Sequence, residues 1–166
     1  MNIFLPYEDD VAKSVQTLDD LRLNKQIIET MAIITANKGI TKGYKNHPIT
    51  VFYANNLEFL YYYGFCCCRE YAYRFKKYHA MHWILHNGAN QNGKMFVKQP
   101  SFIPYYMEGS KGQPNYIRAT ENVSELFQQK LIKKWNNDKA KGRQPRWTNR
   151  NIPDFYIKYL QEVENG

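Results

Sequence analysis

No stretch of this 166-residue chain approaches the ~20 consecutive apolar residues that a membrane-spanning helix requires, so no membrane partner is expected. The opening segment, Met1-Asn2-Ile3-Phe4-Leu5-Pro6, lacks a basic region and a small-residue cleavage site, which argues against a secretory leader. Cysteine is scarce. The three copies are consecutive, Cys66, Cys67 and Cys68, and an odd count in one cluster excludes a disulfide framework. No C-x-x-C or H-E-x-x-H spacing occurs, so the pattern calls for no metal and no other cofactor. Cysteine usage of this kind suits a reducing, intracellular setting, the cytoplasm. Internal repeats and low-complexity tracts are missing, and so is the alternation that marks strands. These absences leave one compact helical domain over residues 1–166, mainly α, with long irregular connections.

What is present sharpens that outline. Lys and Arg number 23 against 15 Asp and Glu, a net charge of +8. Polyanions are the natural partners of such a chain, nucleic acid ahead of an anionic membrane surface. Fourteen Tyr, nine Phe and three Trp make up 16% of the residues. Most of these rings are expected in the core, and a minority are candidates for stacking on exposed bases.

Periodicity predicts helices over 11–36, from 49 into the low eighties, over 121–135 and over 153–163. An extended arm precedes the first. Gly39 and Gly43 follow it, and Pro48 suits the first position of the second, where a bend is expected at Gly64. Residues 86–114 read as a long irregular connection with apolar anchors at Met95, Phe96, Val97, Phe102, Ile103, Tyr105 and Tyr106. Residues 139–150 read as a basic loop.

Charge is spread unevenly. Residues 1–36 hold six acidic and three basic side chains, whereas residues 130–158 hold nine basic and two acidic ones. Such a division describes either catalytic carboxylates beside a phosphate-binding platform or ordinary solvated faces. On the first helix Asp19, Arg22, Gln26 and Glu29 are spaced 3, 4 and 3 and share one stripe, with Lys25 at its margin. They form either an active-site wall or a surface helix laced with ion pairs. In the first case Arg22 grips a phosphate, and Glu29 or Asp19 does acid–base or electrostatic work. His47 stands just before a helix N-terminus, whose dipole favours anions and a neutral imidazole. Contact with a phosphate and a bond to a loop carbonyl both fit it. His79, His82 and His86 are spaced 3 and 4 but carry no metal-site signature. The segment Lys141–Arg150 interleaves cations with one indole, so Arg143, Arg146, Trp147 and Arg150 are expected to clamp nucleic acid.

Several of these segments together resemble a known family. They are Asn2-x-Phe4-Leu5-Pro6-Tyr7, Leu18-Asp19-x-x-Arg22-Leu23-x-Lys25-Gln26-x-x-Glu29, Asn46-His47-Pro48, and Tyr63-Gly64 with Glu70-Tyr71. The family is the pyrimidine-dimer DNA glycosylases, the phage endonuclease V superfamily, in its phage and bacterial branch. The resemblance covers residues 2–75 well and Trp147–Tyr156 loosely. It implies a compact all-α DNA-repair enzyme that binds and kinks double-stranded DNA, and a cytoplasmic monomer is expected. Members of the superfamily attack the sugar C1′ with a free N-terminal α-amine. A Schiff base forms and β-elimination then nicks the strand, so the glycosylase is also an AP lyase. An α-amine has a pKa of about 8 and is partly neutral at physiological pH, and a nearby carboxylate stabilises the cationic intermediate. Carried over by position, the resemblance assigns Met1 as nucleophile and Glu29 as catalytic carboxylate, with Asp19 second. Arg22 matches a phosphate-gripping Arg of the family, and Lys25, Gln26 and His47 are expected to contact DNA beside it. Two other readings stay open: a glycosylase or hydrolase for another modified base or nucleotide, and a non-enzymatic nucleic-acid-binding or host-interaction protein on the same scaffold.

Overall fold

The structure is a computed structural model that describes residues 1–90, 102–105, 115–118 and 122–166. It is mainly α. Helices α1 (Val11–Thr17), α2 (Asp20–Asn37) and α3 (Pro48–Phe52) come first, and a 3-10 turn at Tyr53–Asn55 leads into α4 (Leu57–Phe75). Then follow α5 (His82–Asn90), the strands β1 (Phe102–Tyr105) and β2 (Asn115–Arg118), α6 (Val123–Ala140) and α7 (Asp154–Asn165).

The extended arm is buried, with Ile3, Phe4 and Leu5 at 1%, 5% and 0% exposure. Its backbone polar groups therefore need partners inside the protein. Side chains supply them. Gln26 takes Asn2 and Phe4, Ser14 takes both backbone groups of Tyr7, Gln128 donates to the Pro6 carbonyl, and Ser124 accepts from the Glu8 amide.

The single helix expected over 11–36 is two helices. They part at Leu18-Asp19, where the sequence has neither Gly nor Pro. Tertiary donors explain the break. Arg74 donates to the carbonyls of Gln16 (2.9 Å) and Leu18 (2.7 Å), and the Trp147 indole donates to that of Thr17 (2.8 Å). These bonds satisfy carbonyls that the end of α1 leaves without helical partners. At the other end of α1, Asp10 caps the helix by accepting from the Lys13 amide at 2.8 Å.

The long second helix is also divided. Pro48 does open α3, but the chain breaks through Tyr53–Asn56, and α4 stops at Phe75. Lys76 ends α4 in the left-handed region (φ 54°), and α5 folds back along it. Gly64 lies inside α4, where its value is close approach: a Cβ there would sit 2.8 Å from Leu85 Cδ2. Gly88 answers it from α5, where a Cβ would collide with the Tyr61 ring.

Part of the connection expected to be irregular is ordered. α5 extends to Asn90, and β1 pairs antiparallel with β2, Phe102 opposite Arg118 and Tyr105 opposite Asn115. The anchors expected at Met95, Phe96, Val97 and Tyr106 lie outside the described residues, as does Glu121. α6 continues past the expected end at Trp135 to Ala140, and the added turn carries Asp138 to Arg22.

The core gathers Leu23, Ile27 and Ile34 of α2, Phe59, Leu60 and Tyr63 of α4, and Phe127, Leu131 and Trp135 of α6. The three cysteines belong to it. Burial pushes the Cys66 thiol up to about 11 and the Cys68 thiol up to about 12, with Cys67 also raised. They are protonated, unreactive core residues. Among the described residues no helix is long and apolar enough to cross a membrane.

Candidate active site

Gln26 organises the site. Its amide nitrogen donates to the Asn2 carbonyl at 2.8 Å and to Glu29 Oε2 at 3.1 Å. Its amide oxygen accepts from the Phe4 N–H at 3.0 Å and from the Tyr63 hydroxyl at 2.7 Å. A carboxamide has two donors and two acceptor positions, and all are used here within the protein. The result is a stitch between the arm and α2 that brings Met1 beside Glu29.

Met1 and Glu29 line the same cleft, about 140 Å³ in volume. That is well below the ~300–1,000 Å³ of a typical small-molecule pocket, so the cleft suits a sugar or a single base rather than a whole cofactor. Lys25 lines it from α2, Lys134 and Asp138 from α6, and Arg143 from the following loop. Burial pushes the Glu29 carboxyl above its ordinary value. The charges of the Met1 amine, Lys25 and Lys134, with the Gln26 amide, pull the other way without cancelling that shift. A partly desolvated carboxylate beside an amine can stabilise a cation that develops between them.

Arg22 also faces the cleft, but between two acids. Its Nη1 meets both oxygens of Asp19 at 3.1 and 3.2 Å, and its Nη2 meets Asp138 Oδ2 at 2.6 Å. Asp19 is buried and accepts a further bond from the Trp135 indole at 2.8 Å. It occupies the N-cap position of α2 and does not line the cleft that holds Met1. The structure thus separates the two carboxylates of the stripe: Glu29 faces the amine, and Asp19 joins α2 to α6.

His47 is the N-cap of α3, and its Nδ1 accepts from the Ile49 N–H at 3.2 Å. In the neutral ring the proton therefore sits on Nε2. Burial, and then the charge of the Met1 amine, push this imidazole below its usual value. The amine, Glu29 and His47 are electrostatically linked, although they come from three separate parts of the chain.

The tail residues expected to clamp nucleic acid are placed differently from one another. Arg143 reaches the cleft, and Arg146 lies beside it with Asp19 and Asp20. Trp147 is partly buried, bonded to Thr17 and packed edge-on against Trp135 with ring centroids 5.0 Å apart. Arg150 forms two 2.8 Å bonds to Glu70 and lies over the Tyr73 ring. Sequence reasoning did not single out Lys134 and Asp138 as site residues. Their spacing of four places them on one face of α6, but nothing local says that this face meets α2. It also missed Arg74, buried to 1% exposure, whose guanidinium meets Glu70 (2.8 Å) and Asp20 (3.0 Å) as well as the α1 carbonyls. Among the described residues no group of three or more His, Cys, Asp or Glu side chains gathers as a cation site.

The sequence profile of a family described as pyrimidine dimer DNA glycosylase matches residues 1–82. No curated protein and no solved structure matches the chain. The matched part contains the arm and α1 to α4, hence Met1, Arg22, Gln26, Glu29 and His47. Lys134, Asp138 and Arg143, which complete the cleft, lie beyond it.

Proposed function

Through residues 1–82 the chain belongs to the pyrimidine dimer DNA glycosylase family, and from that premise we propose a base-excision enzyme working through an imine. It acts on a damaged or modified base in double-stranded DNA, as a monomer. The neutral α-amine of Met1 attacks C1′ of the target nucleotide. An N–C1′ bond forms, the glycosidic bond breaks, and its electron pair leaves with the base. Sugar-ring opening yields an iminium. Loss of a C2′ proton then expels the 3′-phosphate and nicks the strand, which is the AP-lyase step.

One observation carries this reading: the Met1 amine and the Glu29 carboxyl share a cleft, and the charge of the first acts on the second. Glu29 opposes the positive charge at C1′ and on the iminium. Gln26 is a positioning residue, because its bonds are spent on the arm and on Glu29. Lys25, Lys134 and Arg143 supply cations for the flanking phosphates, with Arg22 held behind them by its aspartates. His47, held below its usual value by burial and by the charge of the amine, flanks the amine from the N-cap of α3. Asp19 and Trp147 support the site through packing.

Borohydride reduction of the protein mixed with abasic duplex DNA tests the reading. A covalent protein–DNA adduct is expected, and it should disappear when the α-amine is acetylated. Base release from duplexes containing pyrimidine dimers or other modified bases is scored in parallel. If no adduct forms, no base is released and Glu29→Gln binds DNA like the unmodified protein, the enzyme reading fails and a binding protein remains.

A further inference from the structure

The corner between α4 and α5 presents two aromatic rings side by side. Tyr78 and Trp83 are 64% and 58% exposed, well beyond what core packing explains. They are not loose. Both rest on the His82 ring, at 4.6 and 4.9 Å between centroids, and His82 itself is buried and packs on Phe65 at 6.0 Å. The two outer rings lie 5.6 Å apart. Flat apolar surface is thus presented on a rigid base, so little side-chain entropy is lost when something stacks there.

The segment that carries these rings is basic. Residues 65–90 contain Arg69, Arg74, Lys76 and Lys77 against one acid, Glu70. Both Glu70 oxygens are taken by Arg74 and Arg150. Arg69, Lys76 and Lys77 are exposed. Lys76 and Arg150 lie over the Tyr73 ring, at 4.8 and 3.9 Å, which ties this corner to the C-terminal loop. That loop reaches back to the cleft side of α2, where Thr148 bonds Asp20 and Arg146 O accepts from the Asp20 amide. Cations therefore run from Arg143 at the cleft through Arg146 and Arg150 to Lys76.

We propose that the α4–α5 corner is a second nucleic-acid site, a stacking platform for unpaired nucleotides. Bases would stack on Tyr78 and Trp83, and their phosphates would meet Lys76, Lys77 and Arg69. The combination selects this ligand. An apolar peptide would leave the cations unused, an acidic one would leave the rings unused, and a paired duplex keeps its base faces covered. The site is separate from the cleft and does not depend on excision chemistry there.

Fluorescence anisotropy with a labelled oligothymidine and a blunt duplex of equal length tests the proposal. The full chain is compared with the double variant Tyr78→Ala/Trp83→Ala, both of whose substitutions remove exposed rings. Oligothymidine affinity should fall by about tenfold or more, while duplex affinity changes less than about twofold. Trp83 fluorescence should be quenched by oligothymidine, and the quench should vanish in Trp83→Phe. Unchanged oligothymidine affinity, or an equal loss for both ligands, would overturn the proposal. So would sedimentation showing that the rings bind a second copy of the chain while oligothymidine binding stays unaffected by their removal. The outcome is independent of the excision reading: a protein that traps no adduct but loses oligothymidine with the rings keeps the platform and loses the imine mechanism.

Discussion

Gln26 and Asn2 are joined by a 2.8 Å hydrogen bond that crosses from the first buried turns of α2 to the second residue of the chain. The same amide group holds Glu29, so one side chain sets the distance between the proposed nucleophile and its carboxylate.

Gln26→Ala should therefore damage both stability and activity. It removes the Gln26 partner of the Asn2 carbonyl and of the Phe4 amide inside the protein, a loss of about 2–4 kcal/mol. Urea unfolding should show that loss. Adduct yield in the borohydride assay should fall well beyond what the remaining folded fraction accounts for, because the arm no longer places Met1.

Glu29→Gln should separate stability from function. The folded state raises the Glu29 carboxyl above its ordinary value, so the folded protein binds a proton there more tightly than the unfolded chain does. At neutral pH the ionised carboxylate is then a liability, relieved only as the pH falls toward the raised value. The neutral amide should raise the Tm at pH 7, with the gap to the parent narrowing in acid, while the excision rate drops by about a hundredfold or more. A lower Tm at pH 7 in the variant would contradict the sign.

Glu70 behaves oppositely. Burial alone would raise its carboxyl, but the bonds and charges of Arg150 and Arg74 outweigh burial and hold it below the ordinary value. Its contribution is present above the ordinary carboxylate range and is lost as the pH falls through the lowered value. Glu70→Ala leaves the buried Arg74 short of a counter-ion and should destabilise by about 3–5 kcal/mol at pH 7. Denaturant midpoints measured at descending pH should converge for parent and variant.

Trp147 and Lys134 test which residues meet DNA. Trp147→Phe keeps a ring against Trp135 and removes only the indole bond to Thr17, so stability should fall by about 1 kcal/mol with duplex affinity unchanged. Lys134→Ala and Arg143→Ala should each weaken duplex binding and lower the slope of log affinity against log salt by about 1. A large affinity loss in Trp147→Phe would return that ring to the DNA interface.

Local pattern was enough for much of this molecule. The 3, 4, 3 spacing of Asp19, Arg22, Gln26 and Glu29 needs only 3.6 residues per turn, and the cap geometry of His47-Pro48 needs only proline's fixed φ. The mainly helical class followed from periodicity and from the absence of alternation. None of this says what a stripe faces. Whether Asp19 or Glu29 meets Met1 depends on where the arm lies, and the arm is held by Gln26 and Tyr63, the latter 59 residues away along the chain from Phe4.

The break between α1 and α2 shows the same division. Nothing in Thr17-Leu18-Asp19 stops a helix, because the donors that serve the α1 carbonyls are Arg74 and Trp147. Lys134, Asp138 and Arg143 likewise join the cleft only because Trp135 and Asp138 dock α6 on Asp19 and Arg22, 116 residues distant. The sequence by itself determined the helical class, the faces of the helical stretches and the chemistry available on each, since these depend on residues within a few positions of one another, but not where the helices break. Tertiary structure alone decided which carboxylate stands beside the amine and which cations surround it, because those distances are set by packing between segments that share no local pattern.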